Sequence, residues 1–300
     1  MSERPGDMSE RPEGLSGRLG NVSERPGDMS EQTESRGALL RVSGLSKHFR
    51  GLVAVAGVGF AVEEGTVHGL IGPNGAGKTT LFNLISGLVP ADEGAIVFGG
   101  REIVRLPVHA RAGLGIARTF QNIRMFEDMS VLETVAAGAH ARLSAPVWHC
   151  LFDLPRYRAE ERAVAVEALE LLEFVGLAGR AGERAGDLAY GEQRRLEIAR
   201  GLASRPRLML LDEPAAGMNP HETADLARLL RRVRERGVTL LLVEHDMGFV
   251  MELCDQLTVL NFGRRIAGGA PAEVRTDPAV IEAYLGKKAA ARLAARGAKP

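Results

Sequence analysis

The sequence predicts an α/β fold with a parallel central sheet and a helical insertion. Three observations predict it. A short apolar strand stands at Val67 to Ile71, and continuous apolar runs at Arg207 to Leu211 and Thr239 to Val243. Helical stretches separate them, and a glycine-rich loop from Gly72 to Thr79 joins the first run to a helix. Apolar runs of that length are what strands covered on both faces look like, and strands alternating with helices build parallel sheets.

The chain opens on a decaying seven-residue repeat, MSERPGD, MSERPEG, LSGRLGN, VSERPGD, MSEQTES. Proline and glycine fall inside each unit and no paired apolar positions recur, so no coiled coil is expected. Low hydrophobicity with turn residues predicts a disordered extension over residues 1–37. It reads either as a docking tail or as a tandem duplication ahead of Met29, a start from which the fold would lose nothing.

A folded region is expected over 38–286. Residues 39–49 and 53–62 are expected strands, the second with Val58, Phe60 and Val62 alternating against Gly59 and Ala61. Val67 to Ile71 leads into the glycine loop, and Lys78 to Leu88 is the expected helix behind it. Residues 122–187 read as mostly helical and charged, as in the run from Arg156 to Phe174. Leu196, Ile198, Ala199 and Leu202 give the helix after Gly191 an inward face. Asn219 before Pro220 supplies an N-cap and a first-turn proline for another helix. Residues 287–300 form a basic, alanine-rich tail with five basic and no acidic residues, read as a solvated or frayed helix rather than a membrane patch.

Composition narrows the function. Three hundred residues with 45% hydrophobic content can bury a large core. Lys+Arg and Asp+Glu both total 38, which argues against bulk nucleic-acid binding. Cys150 and Cys254 are far apart and form no CxxC, so neither a zinc site nor a disulfide framework is indicated. No apolar run approaches the roughly 18 residues of a membrane span, and the N-terminus is polar. A cytosolic chain is expected unless something docks it to a membrane.

Gly72-Pro73-Asn74-Gly75-Ala76-Gly77-Lys78-Thr79, followed by Thr80, has the spacing G-x-x-x-x-G-K-[ST] of a phosphate-binding loop. Glycines let the backbone wrap phosphate closely, and the amides at the start of the helix bind its oxygens. Lys78 can bridge β- and γ-phosphates and the Thr79 hydroxyl can ligate Mg²⁺. Asp212 ends the apolar run Leu208 to Leu211, where a carboxylate reaches a Mg²⁺ shell. Glu213 follows it directly, where it would act as general base on an attacking water or at least orient it. In Leu188-Ala189-Tyr190-Gly191-Glu192 a glycine-containing turn runs into a helix, a second cradle of backbone N–H groups and helix dipole.

Together these stretches resemble the ATP-binding cassette (ABC) ATPases, over roughly residues 38–286. The resemblance implies an ABC-type P-loop ATPase domain. Its parts are a parallel RecA-like core sheet, an antiparallel β subdomain and a helical subdomain at about 122–200. It implies ATP and Mg²⁺ as ligands, and it makes Leu208 to Glu213 the Walker B strand and Leu188 to Glu192 the signature segment. Gln121 in Arg118-Thr119-Phe120-Gln121 matches the Q-loop residue that senses Mg²⁺ and γ-phosphate, so Thr79, Gln121 and Asp212 are the implied metal-facing residues. His245 matches the switch histidine, completing a catalytic set of Glu213, His245 and Gln121. Phe49 matches the aromatic that stacks on adenine, with core packing as its alternative. Ala215 to Pro220 matches the loop that meets a partner subunit. The implied signature residues Ala189, Tyr190, Gly191 and Glu192 would close over ATP held by that partner.

Within the family, the chain is similar to ATPase subunits of branched-chain amino acid importers. IGPNGAGKTTLFN, ARTFQNIRM, YGEQRRLEIAR, LDEPAAGMNP and VIEAYLG carry this. The resemblance implies a homologous, non-identical second ATPase subunit, two integral-membrane permeases and, indirectly, an external solute-binding protein. It places the chain peripherally on the cytoplasmic face of the inner membrane. A urea or short-amide importer, a lipopolysaccharide-type exporter and a soluble ABC ATPase stay open as alternatives. The segment Ala145 to Arg158, with Trp148, Leu151, Phe152 and Leu154, is either part of a permease-docking surface or an internal helix contact. Ala189 departs from the pattern, which usually has Ser. A hydrogen bond to a charged group is worth roughly 1.5–3 kcal/mol, so the composite site using this signature is expected to be the weaker one, with the alternative that backbone amides suffice and Ala is neutral.

Overall fold

The computed structural model describes residues 37–119, 128–142 and 155–286. The repeat extension, Gln121, Cys150, the apolar segment 145–154 and the basic tail lie outside the described residues.

Strands β1 (Ala38–Phe49) and β2 (Leu52–Glu63) form a hairpin, followed by β3 (Val67–Ile71) and helix α1 (Lys78–Ser86). Next come β4 (Glu93–Phe98), β5 (Arg101–Glu102), α2 (Val108–Gly113) and β6 (Ile116–Arg118). Helices α3 (Val131–Gly138), α4 (Pro155–Phe174) and α5 (Tyr190–Ala203) make the helical part. The chain then alternates through β7 (Leu208–Asp212), α6 (Pro220–Glu235), β8 (Thr239–Val243) and α7 (Met247–Leu253). It closes with β9 (Gln256–Asn261), β10 (Arg264–Gly269), α8 (Pro271–Thr276) and α9 (Pro278–Leu285).

Two sheets result. One is antiparallel in the order β2-β1-β4-β5; the other runs β10-β9-β3-β8-β7-β6, parallel except for its β10 edge. The apolar runs explain the second sheet, because successive side chains point to opposite faces and each face meets its own core. Val67, Ile71, Met209, Leu211, Leu240 and Leu242 pack into the core beneath α5 and α6. Leu70, Leu208, Leu210, Leu241 and Val243 pack on the other side with Leu81, Phe82 and Ile85 of α1 and with Leu40, Val42 and Leu45 of β1. Each fully buried Leu contributes about 1.5–3 kcal/mol, so both faces hold the strands in place. One buried histidine interrupts this: His68 on β3 is 5% exposed, bonded through Nε2 to Thr258 Oγ1 at 3.0 Å, and burial lowers its pKa to about 4.

Two helix ends show what local pattern does and does not decide. Helix α6 starts where the cap predicts: Asn219 Oδ1 accepts from the His221 and Glu222 amides at 3.0 Å each, and Glu222 Oε2 accepts back from the Asn219 N–H at 2.9 Å. Helix α1, expected to reach Leu88, stops at Ser86. Gly87 turns left-handed at φ 81°, and the buried Arg111 guanidinium on α2 donates to the Leu84 and Ile85 carbonyls at 2.6 and 2.7 Å. The last carbonyls are satisfied by a cation from another element, which ends the helix two residues early.

Candidate active site

Strands β3, β8, β7 and β6 lie side by side and parallel, so their C-terminal ends open on one edge of the sheet. That edge receives four of the segments singled out in the sequence: the loop Gly72 to Thr79, His245, Asp212 with Glu213, and Arg118-Thr119 leading toward Gln121. Ligands of open α/β sheets collect at such strand ends.

The loop after β3 is shaped by two close approaches. A Cβ at Gly72 would lie 2.2 Å from the Leu260 carbonyl oxygen of β9, and one at Gly77 would lie 2.5 Å from the Ala54 oxygen of β2. Gly77 also takes φ 99° as the N-cap of α1. No other residue fits at either position, so the loop is wedged between both sheets while Asn74 and Gly75 face outward. Lys78 is 8% exposed, and its Nζ donates to the Gly72 and Pro73 oxygens at 2.5 and 3.0 Å. Burial lowers its pKa while the Glu213 and Asp212 carboxylates push it back up, which sets these three charges in one neighbourhood. Thr79 is exposed on the first turn of α1 and Thr80 half-buried beside it.

Asp212 ends β7 buried, paired with Arg118 through Nη2 to Oδ2 at 3.1 Å. Burial raises its pKa, with Arg118 pulling the other way. Glu213 is half-buried at φ 47°, left-handed backbone that a glutamate adopts at a cost of about 1–3 kcal/mol. Its N–H donates to the Val243 oxygen of β8 at 2.9 Å, which holds the turn. His245 is exposed just past β8, its N–H bonded to Glu244 Oε2 at 3.0 Å.

The signature segment sits elsewhere, at the start of α5. Ala189 is the N-cap and offers no side-chain acceptor; its N–H donates to Glu192 Oε2 at 3.1 Å. Gly191 lies inside the first helical turn rather than ahead of it. The Glu192 carboxylate is also held by Arg180 and faces Arg195 at 3.8 Å. The Tyr190 hydroxyl accepts from Arg194 Nη2 at 2.8 Å, the guanidinium stands 5.3 Å over the ring, and the ring packs against Gly217. A Cβ at Gly191 would meet Glu222 of α6 at 3.1 Å. These contacts fasten the signature to the Ala215–Pro220 side of the same chain. Phe49 lies at the end of β1 on the antiparallel sheet, 43% exposed, with Lys47 Nζ 5.4 Å from its ring centre. At that exposure the ring is not part of the packed core.

Two residues escaped the sequence reading. Glu244 is fully buried and accepts from Ala215 N–H at 2.8 Å and His245 N–H at 3.0 Å, stapling the loop after β7 to the loop after β8. An acid directly after an apolar strand and before His245 was the signal for it. Arg118, first residue of R-T-F-Q, is the other. Among the described residues no cluster of three or more His, Cys, Asp or Glu side chains is placed to hold a metal. A hard cation here would draw on Thr79 and Asp212, with its remaining oxygens from phosphate and water, which is the habit of Mg²⁺. Among the described residues no helix is long and apolar enough to cross a membrane.

The family profile described as ABC transporter matches residues 55–216, and the one described as branched-chain amino acid ATP-binding cassette transporter matches 264–290. Over 250 residues the chain is 48% identical to the high-affinity branched-chain amino acid transport ATP-binding protein BraF of Pseudomonas aeruginosa, covering 83% of this chain and 98% of that protein. It is 41% identical over 250 residues to the corresponding LivG of Escherichia coli, with the same coverage. It is 37% identical over 248 residues to the lipopolysaccharide export ATP-binding protein LptB of Acidithiobacillus ferridurans, covering 83% and 97%. Among solved structures, a nucleotide-free ATP-binding cassette from an ABC transporter matches at TM-score 0.73 and 33% identity, covering 83% of this chain and all (100%) of that one.

Proposed function

This chain belongs to the ABC transporter family of ATP-binding proteins, and on that premise we propose that it is the ATP-hydrolysing subunit of an importer for branched-chain amino acids. It works at the cytoplasmic face of the plasma membrane beneath two integral-membrane permeases, beside a homologous but non-identical ATPase subunit. A solute-binding protein outside delivers the amino acid. The observation that carries the motor role is the convergence of Lys78, Asp212 and Glu213 at the ends of β3 and β7. The solute rests on the names of the relatives and on the second profile, at 264–290. The lower identity to the export protein makes export the weaker reading.

The chemistry follows from the residues. Loop amides from Gly72 to Thr79 and the N-terminus of α1 bind the phosphates of ATP. Lys78 exchanges two neutral carbonyls for phosphate oxygens, a gain because charge-assisted bonds are the stronger kind. Thr79 and Asp212 would hold Mg²⁺, which would neutralise phosphate charge when bound. The Glu213 carboxylate takes the proton of the attacking water as its oxygen bonds to the γ-phosphorus and the bond to the β–γ bridging oxygen breaks. His245 contacts the γ-phosphate, and Phe49 stacks on adenine; Gln121 is assigned its role by its match to the family motif alone. Ala189, Tyr190, Gly191 and Glu192 cap the nucleotide of the second subunit, whose signature caps this one.

Reconstitution tests the proposal. The chain is combined with its partner ATPase and candidate permeases in vesicles, and ATP turnover is measured with binding proteins loaded with leucine, urea or a short amide. Stimulation by leucine alone is expected. Stimulation by urea or amide instead would replace the solute, and no turnover under any condition would remove the motor role.

A further inference from the structure

The Arg118 guanidinium reaches three elements at once. From the end of β6 its Nη2 meets Asp212 Oδ2 at 3.1 Å on β7, and its Nη1 donates to Asn83 Oδ1 and Ser86 Oγ at 2.8 Å each on α1. Its plane lies 5.7 Å over the Phe82 ring of the same helix. The side chain is 9% exposed and that of Asp212 6%, so water does not screen the pair. The next residue, Thr119, is itself pinned to β7, its N–H donating to the Leu210 oxygen at 2.9 Å.

The significance lies in which elements are joined. Thr79 rides on α1 and Asp212 ends β7, and these are the two described residues assigned to the metal. The β3-β8-β7 ladder fixes the strand ends, and how α1 sits against the end of β7 is further set by side-chain ties between them. Arg118 is such a tie, and its planar fork of N–H donors can hold acceptors on two elements in fixed directions.

We propose that Arg118 is the positioning residue of the metal limb: anchored on α1 by Asn83 and Ser86, it orients the Asp212 carboxylate relative to Thr79 and thereby sets the affinity of the nucleotide site for its divalent cation. The inference rests on the ATPase reading, which the wild-type protein's own metal-dependent nucleotide binding tests separately. Residues behind metal ligands typically contribute roughly 10–100-fold to metal affinity. A merely structural Arg118 would change thermal stability and leave metal affinity alone.

The test titrates Mn²⁺ into the full chain with a non-hydrolysable ATP analogue, following free Mn²⁺ by electron paramagnetic resonance, with analogue binding in EDTA as control. Arg118→Gln should weaken Mn²⁺ binding at least ~10-fold while analogue affinity in EDTA stays within about twofold. Arg118→Lys keeps the charge without the fork and should fall between. The double change Asn83→Ala with Ser86→Ala leaves the ion pair present but unanchored, and should weaken Mn²⁺ about threefold or more. It decides the matter if Arg118→Gln does not fold. Mn²⁺ affinity within twofold of wild type in folded Arg118→Gln, or in the double variant if that is the one that folds, overturns the proposal. Wild-type protein binding no analogue at all would sink the ATPase reading instead.

Discussion

The strand-end face and the signature face carry charge in opposite ways. At the strand ends, charges are crowded and held under stress: Lys78 is buried against backbone oxygens, Asp212 is pressed into a low-dielectric pocket with Arg118, and Glu213 is bent left-handed. At the signature, Glu192, Arg194, Arg195 and Glu197 each have an opposite charge or a hydroxyl beside them, from α5 itself or from Arg180. Arg180 and Arg195 surround Glu192, and Arg194 joins Tyr190 to Glu197 at 2.8 and 3.2 Å. Stress stored against desolvation is what a site for chemistry looks like, because a polyanion can relieve it. Satisfied pairs around a helix start are what a rigid docking edge looks like. On the proposed reading, one chain holds one half of a reaction and a rigid edge for another half.

Breaking the stressed face should have the largest effect. Glu213→Gln removes the proton acceptor while keeping the turn, and a general base is worth 10²–10⁴-fold, so ATP turnover should fall about 10³-fold with ATP binding retained. Turnover within tenfold of wild type would take Glu213 out of its role.

Acid should weaken the same face from below. His68 lies on β3, the strand that carries the phosphate loop, with a pKa of about 4 against an ordinary 6.5. The unfolded chain therefore binds the extra proton between these values. Stability is full above pH 6.5, declines as pH falls to about 4, and levels below, a loss of about 3 kcal/mol. Denaturant unfolding at pH 7, 5.5 and 4.5 measures the slope. His68→Gln, which stays neutral and keeps a hydrogen-bonding group for Thr258, should flatten it.

The signature face should respond more modestly. Ala189→Ser adds an acceptor-donor at the N-cap of α5 and, in the paired ATPases, a hydroxyl toward the other subunit's γ-phosphate. About 1.5 kcal/mol of new charge-assisted bonding would raise turnover roughly tenfold, and an unchanged rate would show that backbone amides suffice. Asn219→Ala, next to that face, should cost about 1 kcal/mol by stripping two amides of α6, read as a small drop in melting temperature with the ATP affinity unaltered.

Much of this was legible in the chain because its causes are local. Gly72 to Thr79 announces itself by the glycines that close backbone approach demands, and β3, β7 and β8 by apolar runs that only a two-faced burial explains. Asn219-Pro220 foretold the start of α6 for the same reason: the cap and the helix are neighbours in sequence. The end of α1 at Ser86 was not legible, since the cation that caps it, Arg111, arrives from α2. Nor were the Arg118–Asp212 pair or the Glu244 staple, whose partners lie 94 and 29 residues away.

By itself, then, the amino-acid sequence determined the alternation of strands and helices, the phosphate loop and the family. Hydrophobic period and turn chemistry act over a few residues and survive any arrangement of the rest. Tertiary structure alone decided which charges meet. The strand order β3-β8-β7-β6 brings Lys78, Asp212, Glu213 and His245 to one edge, and burial there sets the directions of the Lys78 and Asp212 pKa shifts. Desolvation and ion pairing depend on what lies within a few ångströms, and that is a property of the packed chain.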